Sequence, residues 1–214
     1  MKTQVKSKER VTEFGEVYTS DKEVNAMLDL VKQETERLDS RFLEPACGDG
    51  NFLIEVLNRK LEVLVKDFKK NQYEFEKNSV VVLGSIYGID ILEDNAQIAR
   101  DRLYNKFTDV YQKLFKNTIN QNLLQSIKFI INCNILHGDA LTLKKVDSDK
   151  PVIFPEWGAF NNKIKRRDFT LADLISYSPF EKGTLFSDLG DEVNIPKPIK
   201  EYPLVNFDKV FETC

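Results

Sequence analysis

Along this chain apolar residues recur at helical spacing in one segment and bunch into short runs in the next. Ser20 followed by Glu23 has the form of a capping box, and Val24, Met27, Leu28 and Val31 supply a helical stripe expected to reach about Leu38. Residues 41–45 read as a first strand. A second helix starts near Asn51, with Phe52, Leu53, Val56, Leu57, Leu61, Leu64 and Val65 as its buried face. Residues 66–77 are polar and predict a turn, followed by a third helix through residues 79–85. Residues 87–91 form a second buried strand that ends in an acid. Residues 93–107 read as a helix with Ile98, Leu103 and Phe107 inward, and residues 111–126 as another. Residues 128–135 are expected to be a third strand leading into Gly138-Asp139-Ala140-Leu141, and residues 151–154 a short fourth. Strands alternating with helices predict an α/β fold with a parallel sheet and right-handed crossovers.

After Trp157 the pattern changes. Pro155, Pro179, Pro196, Pro198 and Pro203 punctuate the chain, residues 168–176 alone read as helix, and residues 206–211 are expected to add one strand. No apolar run approaches the ~18 residues of a membrane span, and residues 1–10 lack the apolar core of a signal peptide. Three cysteines without metal spacing fit a reduced, cytoplasmic setting, and no metal is expected.

The segment Leu43-Glu44-Pro45-Ala46-Cys47-Gly48-Asp49-Gly50-Asn51-Phe52 carries the chemistry. It joins a strand to a helix through two glycines, whose missing Cβ atoms let backbone N–H groups approach a ligand. Acids then stand at or just after three successive strand ends: Glu44, Asp90 and Asp139. In an open α/β sheet ligands sit above those ends. A carboxylate after the second strand suits vicinal ribose hydroxyls, and one after the third suits an adenine amine. Each acid could instead simply cap the helix that follows it. A nicotinamide or flavin site would need a third glycine where Leu53 stands. His137, the only histidine, is a conceivable base beside Gly138-Asp139.

The stretch from Glu44 to Phe52, then Gly88-Ile89-Asp90 and Gly138-Asp139-Ala140-Leu141, resembles the cofactor motifs of class I S-adenosylmethionine-dependent methyltransferases. The likeness is greatest to the adenine-specific DNA methyltransferases of bacterial restriction–modification systems. Phe14-Gly15-Glu16-Val17-Tyr18-Thr19 resembles the segment of that group that contacts the methionine end of the cofactor. The resemblance implies a Rossmann-like, mostly parallel sheet with helices on both faces, incomplete at its C-terminal end. It divides the chain into an arm with the cofactor-contacting segment (residues 1–20), an S-adenosylmethionine-binding domain (21–157) and an irregular extension (158–214). By the same likeness S-adenosyl-L-methionine is the cofactor, and Tyr18, Thr19, Glu44, Pro45, Ala46, Cys47, Gly48, Asp49, Gly50, Asn51, Phe52, Asp90, Ile91, Asp139, Ala140 and Leu141 bind it. Glu44 would orient the methionine moiety, Asp90 hold the ribose, Ile91 pack on the adenine and Asp139 read its amine.

The pattern breaks at the acceptor side. Amino-methylating members carry Asn/Asp/Ser-Pro-Pro-aromatic after the fourth strand, where a polar side chain accepts from the target amine and the aromatic stacks on the flipped base. This chain has no Pro-Pro pair; at that place stands Phe154-Pro155-Glu156-Trp157, making Pro155, Glu156 and Trp157 the candidates on the acceptor side. Ser178-Pro179-Phe180 follows no strand. Phe207-Asp208-Lys209-Val210 is similar to the segment that precedes the tetrapeptide. A net charge of −3 lacks the basic footprint of unaided DNA binding, although Lys2, Lys6, Lys8 and Arg10, and Lys163, Lys165, Arg166 and Arg167, form local clusters. Three readings stay open: a DNA adenine methyltransferase, or its cofactor-binding portion working with a partner subunit; an inactive S-adenosylmethionine-binding module; and a methyltransferase acting on a protein or small molecule.

Overall fold

A computed structural model describes Arg10, Thr12 and residues 19–176 and 197–214. The chain enters through helix α1 (Asp21–Leu30), whose Ser20 hydroxyl accepts the Glu23 N–H while the Glu23 carboxylate accepts the Ser20 N–H. A break at Val31 separates it from the short α2 (Lys32–Thr35), so the single expected helix is two. Strand β1 (Phe42–Glu44) runs into the glycine turn and α3 (Asn51–Phe68). Helix α4 (Gln72–Gly84) is capped by Asn71, whose side chain accepts the Glu74 N–H, and leads directly into β2 (Ile86–Asp90). Helix α5 (Glu93–Phe115) and α6 (Gln121–Asn134) precede β3 (Ile135–His137).

The expected strand at residues 128–135 is thus the second half of a helix. Leu123, Leu124, Ile127, Ile130 and Ile131 are all buried at spacings of three and four, and Asn120 caps the N–H groups of Asn122 and Leu123. Packing of this face outweighs the β-propensity of the isoleucine-rich sequence.

Strands β1, β2 and β3 form a parallel sheet in that order. Alternation along β2 gives its two faces different cover. Gly88 lies so close to α3 that a Cβ there would stand 2.8 Å from Leu53 Cδ1. Tyr87 and Ile89 point the other way and pack with Val152, Phe154 and Leu171, and the Tyr87 hydroxyl donates to the Pro155 carbonyl at 2.9 Å. Helices were expected on both faces; the Tyr87 face is covered by a β-hairpin and the short helix that follows it, which supplies Leu171.

That hairpin is β4 (Ile153–Phe160) against β5 (Lys163–Thr170), antiparallel, with β6 (Lys200–Glu201) and β7 (Val205–Asn206) along the other edge of β5. The fourth strand therefore does not join the parallel sheet, and residues 163–170, read as irregular or partly helical, are extended. Helix α7 (Leu171–Ser176) begins only after them. Residues 206–211, expected as a strand, are mostly a 3-10 helix (Phe207–Glu212), because Phe207 and Val210 bury together at a spacing of three. Ser178-Pro179-Phe180 and most of the N-terminal arm, Tyr18 included, lie outside the described residues. Among the described residues no helix is long and apolar enough to cross a membrane.

Candidate functional site

The elbow after β1 is built by two left-handed glycines, Gly48 at φ 53° and Gly50 at φ 87°. Side-chain-bearing residues reach this region only with strain, so glycine is what the turn requires. Gly50 occupies the N-cap of α3 and offers no side-chain cap, which leaves the first N–H groups of α3 without a side-chain acceptor. Two backbone bonds set the turn: the Cys47 N–H donates to Ile89 O and the Gly50 N–H to Cys47 O, each at 2.8 Å.

Above the strand ends lies a cleft of about 530 Å³, within the range of small-molecule sites. Its walls include Thr19, Glu44, Pro45, Ala46, Cys47, Gly48, Asp49, Asn51, Phe52, Asp90, Ile91, Asp139, Ala140 and Leu141. Of the residues read from sequence, Gly50 sits behind the wall against Ala99, and Tyr18 lies outside the described residues. Met27, Leu92, Asn95 and Gly138 also line it and were not anticipated. Asn95 had a signal, since it lies one helical turn beyond the acid-terminated strand; Met27, on the outward side of α1, had none. A second groove of about 600 Å³ runs between α1–α2 and α3, but acids and bases such as Asp29 and Arg59 neutralise one another there.

The three strand-end acids differ in state. Burial pushes the Glu44 carboxyl above the usual carboxylate range, partly countered by the Ala46 N–H. Asp90 is buried and already accepts from the Gly48 N–H at 2.8 Å, the Leu92 N–H at 2.9 Å and Asn95 Nδ2 at 3.3 Å. A carboxylate has about four lone-pair sites, so Asp90 keeps about one for a ligand rather than two. Asp139 accepts from the Leu141 N–H at 2.8 Å and the Thr142 N–H at 3.3 Å, and these bonds hold it below the usual carboxylate range. Burial, then the nearby Asp90 and Glu44 charges, push the Cys47 thiol up, so it is neutral. Among the described residues no lysine or arginine lines the cleft.

The structure does not bring the catalytic candidates to this cleft. Glu156 pairs with Arg41 at 2.6 Å and with Arg167 at 2.5 Å. Trp157 donates from Nε1 to Asn134 Oδ1 at 2.9 Å and meets Phe129 edge-on. Pro155 supplies its carbonyl to Tyr87. These residues fasten the hairpin to the sheet and to α6. His137 Nε2 lies 3.0 Å from the Ile91 carbonyl, which can only accept, so that nitrogen carries the proton.

The basic cluster of β5 is also largely engaged. Lys165 pairs with Glu201, Arg166 with Asp168 and Arg167 with Glu156, while Arg166 stacks 4.2 Å from the Tyr202 ring centroid. Arg10 pairs with Asp94 at 2.8 Å.

A parallel sheet with helical crossovers, a glycine elbow, acids ending β1 and β2 and an acid just after β3 fit a methyltransferase-like α/β protein. The family model described as MmeI, DNA-methyltransferase domain, matches residues 18–150, and the chain belongs to that family. It is a restriction–modification DNA methyltransferase-like protein without a recognisable Asn-Pro-Pro-Tyr motif. Comparison with curated proteins and with solved structures gives no match.

Proposed function

We propose that the cleft binds S-adenosyl-L-methionine and that this chain is the cofactor-binding part of a DNA adenine-N6 methyltransferase, acting with a partner polypeptide. The observation that carries the reading is a glycine-elbow cleft walled by Glu44, Asp90 and Asp139 with no basic residue among its described lining. Such walls repel a phosphate-bearing cofactor and favour a cationic one. The bound cofactor supplies a methyl group on a sulfonium, whose leaving group departs neutral and needs no strong base.

The chain's own residues divide the binding task. Glu44 would orient the cationic methionine end, and the open N–H groups of α3 would donate to its carboxylate. Asp90, already held by three donors, would accept one ribose hydroxyl. Ile91 and Leu141, which are 44% and 96% exposed, offer apolar surface to the adenine, and Asp139 its acceptor.

Two observations support a partner. Glu156 and Trp157 are committed to structural contacts away from the cleft. Among the described strands β1 pairs with β2 alone, so its outer edge, where Leu43 is half-exposed, can receive one further strand beside Glu44.

The test is calorimetry of the purified chain with S-adenosylmethionine, followed by methyl-labelled transfer to unmethylated DNA with and without candidate partners. Binding alone with transfer only on adding the partner is the expected result; absence of binding would overturn the reading. The two arginines on Glu156 favour a second reading, an inactive S-adenosylmethionine-binding or regulatory module, marked by binding without transfer under any pairing. Label appearing in protein or in a small molecule, but not in DNA, would identify the third.

A further inference from the structure

The geometry points to Arg102 as a positioning residue that holds the glycine elbow in its ligand-ready shape without lining the cleft. This rests on the reading that the cleft binds S-adenosylmethionine.

Arg102 projects from α5 onto both flanks of Gly50. Its Nη1 donates to the Asp49 carbonyl at 2.6 Å and lies 2.9 Å from Asp49 Oδ1, and its Nη2 donates to Asn51 Oδ1 at 2.9 Å. One planar guanidinium thus grips the residue before and the residue after the left-handed glycine, a geometry an ammonium cannot reproduce.

The same helix face supports the elbow at two further points. Ala99, three residues earlier, approaches so closely that a Cβ on Gly50 would lie 3.0 Å from its own Cβ. Asn95, one turn before that, donates to Asp90, which in turn accepts the Gly48 N–H. Residues 95, 99 and 102 recur at helical spacing, so α5 acts as a rigid template against which both glycines are set. Arg102 bonds to the turn itself, at Asp49 and Asn51. It also offsets the Asp49 charge, so the net negative field of the cleft comes from Glu44, Asp90 and Asp139.

The functional consequence is preorganisation. Without the clamp, the Asp49–Gly50–Asn51 peptides sample turns in which the N–H groups of α3 no longer face the cleft. Apparent affinity falls in proportion to the competent fraction. If that fraction falls to about one tenth, the dissociation constant rises about 10-fold.

The experiment uses the full chain and its Arg102→Ala and Arg102→Lys variants. S-adenosylhomocysteine is titrated calorimetrically, thermal unfolding is followed without ligand, and amide hydrogen exchange is measured across residues 47–54 of the free protein. Arg102→Ala is expected to bind about 10-fold more weakly, to exchange faster at the elbow alone, and to keep a cooperative transition. Arg102→Lys, which keeps the charge but not the fork, is expected to fall between. Wild-type affinity in Arg102→Ala, or unchanged exchange at the elbow, overturns the proposal. So does a loss of affinity accompanied by uniformly faster exchange through α3 and α5, which marks a merely structural arginine. If the wild-type chain itself binds no S-adenosylhomocysteine, the reading of the cleft fails, and the exchange comparison still decides the clamp.

Discussion

Replacing Lys60 by methionine tests how the platform beneath the site is held. Lys60 lies on α3 with no exposed surface, and its three ammonium N–H donors are shared among four acceptors, the carbonyls of Arg37 at 3.0 Å, Leu38 at 3.1 Å and Ser40 at 2.6 Å, and Ser85 Oγ at 2.9 Å. None of the described ion pairs includes it, and burial, offset in part by Asp39, lowers its pKa from 10.5 to about 8. The sign follows from linkage. Below about 8 both states are protonated and the full penalty of burying the charge is present; between about 8 and 10.5 the native state sheds a proton that the unfolded state keeps, so stability rises with pH. Roughly 2.5 units correspond to about 3 kcal/mol. Methionine removes that penalty but leaves the carbonyls of Arg37 and Ser40 without their donor, while that of Leu38 keeps only the Ser85 hydroxyl at 3.3 Å; each orphaned carbonyl costs about 1–3 kcal/mol. The orphaned carbonyls win, and Lys60→Met is expected to lose about 2–3 kcal/mol at neutral pH. Urea unfolding of both proteins between about pH 7 and about pH 10 checks this, because the wild type gains stability relative to the variant over that window. A wild-type-minus-variant difference that stays constant with pH, or a more stable variant at neutral pH, refutes the reasoning.

Further outcomes concern the cleft itself. Glu44→Gln is expected to weaken S-adenosylmethionine binding about 10-fold at neutral pH through loss of one charge contact. The wild type should lose affinity on acidification from above the usual carboxylate range, because burial raises Glu44; calorimetry across pH in which both proteins show the same acid limb would refute this role. Gly88→Ala would set a methyl 2.8 Å from Leu53 Cδ1 and 3.1 Å from Cys47 Cβ and Sγ, costing about 1–3 kcal/mol by overpacking. Because Cys47 belongs to the elbow, cofactor affinity should fall with stability, and a denaturation midpoint equal to wild type would contradict the packing argument.

What could be read in the sequence was local. The capping box at Ser20 and Glu23, the glycine turn and the acid ending β2 are each set by residues within a few positions of one another, and the structure shows all three. What was misread depended on distant partners. Residues 163–167 look like a solvated charge run, yet Lys165 and Arg167 find Glu201 and Glu156 across neighbouring strands, and Arg166 turns inward onto Tyr202. The isoleucines of α6 look like a strand until α4 and the 3-10 helix are packed against them. Arg102 was invisible for the same reason, since it acts 51 to 53 residues away along the chain.

This contrast bears on how the two halves of the proposed reaction are encoded. Holding a cofactor is a task for strand ends and one turn, and here β1, β2 and β3 bring Glu44, Asp90 and Asp139 to one cleft through short parallel register. Receiving a flipped base needs an acceptor and an aromatic beside the same cleft. The residues that sequence offered for that purpose instead lock a hairpin over the opposite face of β2: Glu156 between two arginines, Trp157 on Asn134, Pro155 on Tyr87. Freeing Glu156 would leave Arg41 and Arg167 without their shared carboxylate, so its structural role opposes recruitment to chemistry. On the proposed reading, a partner strand bearing acceptor-side groups would join at the outer edge of β1, which no described strand covers.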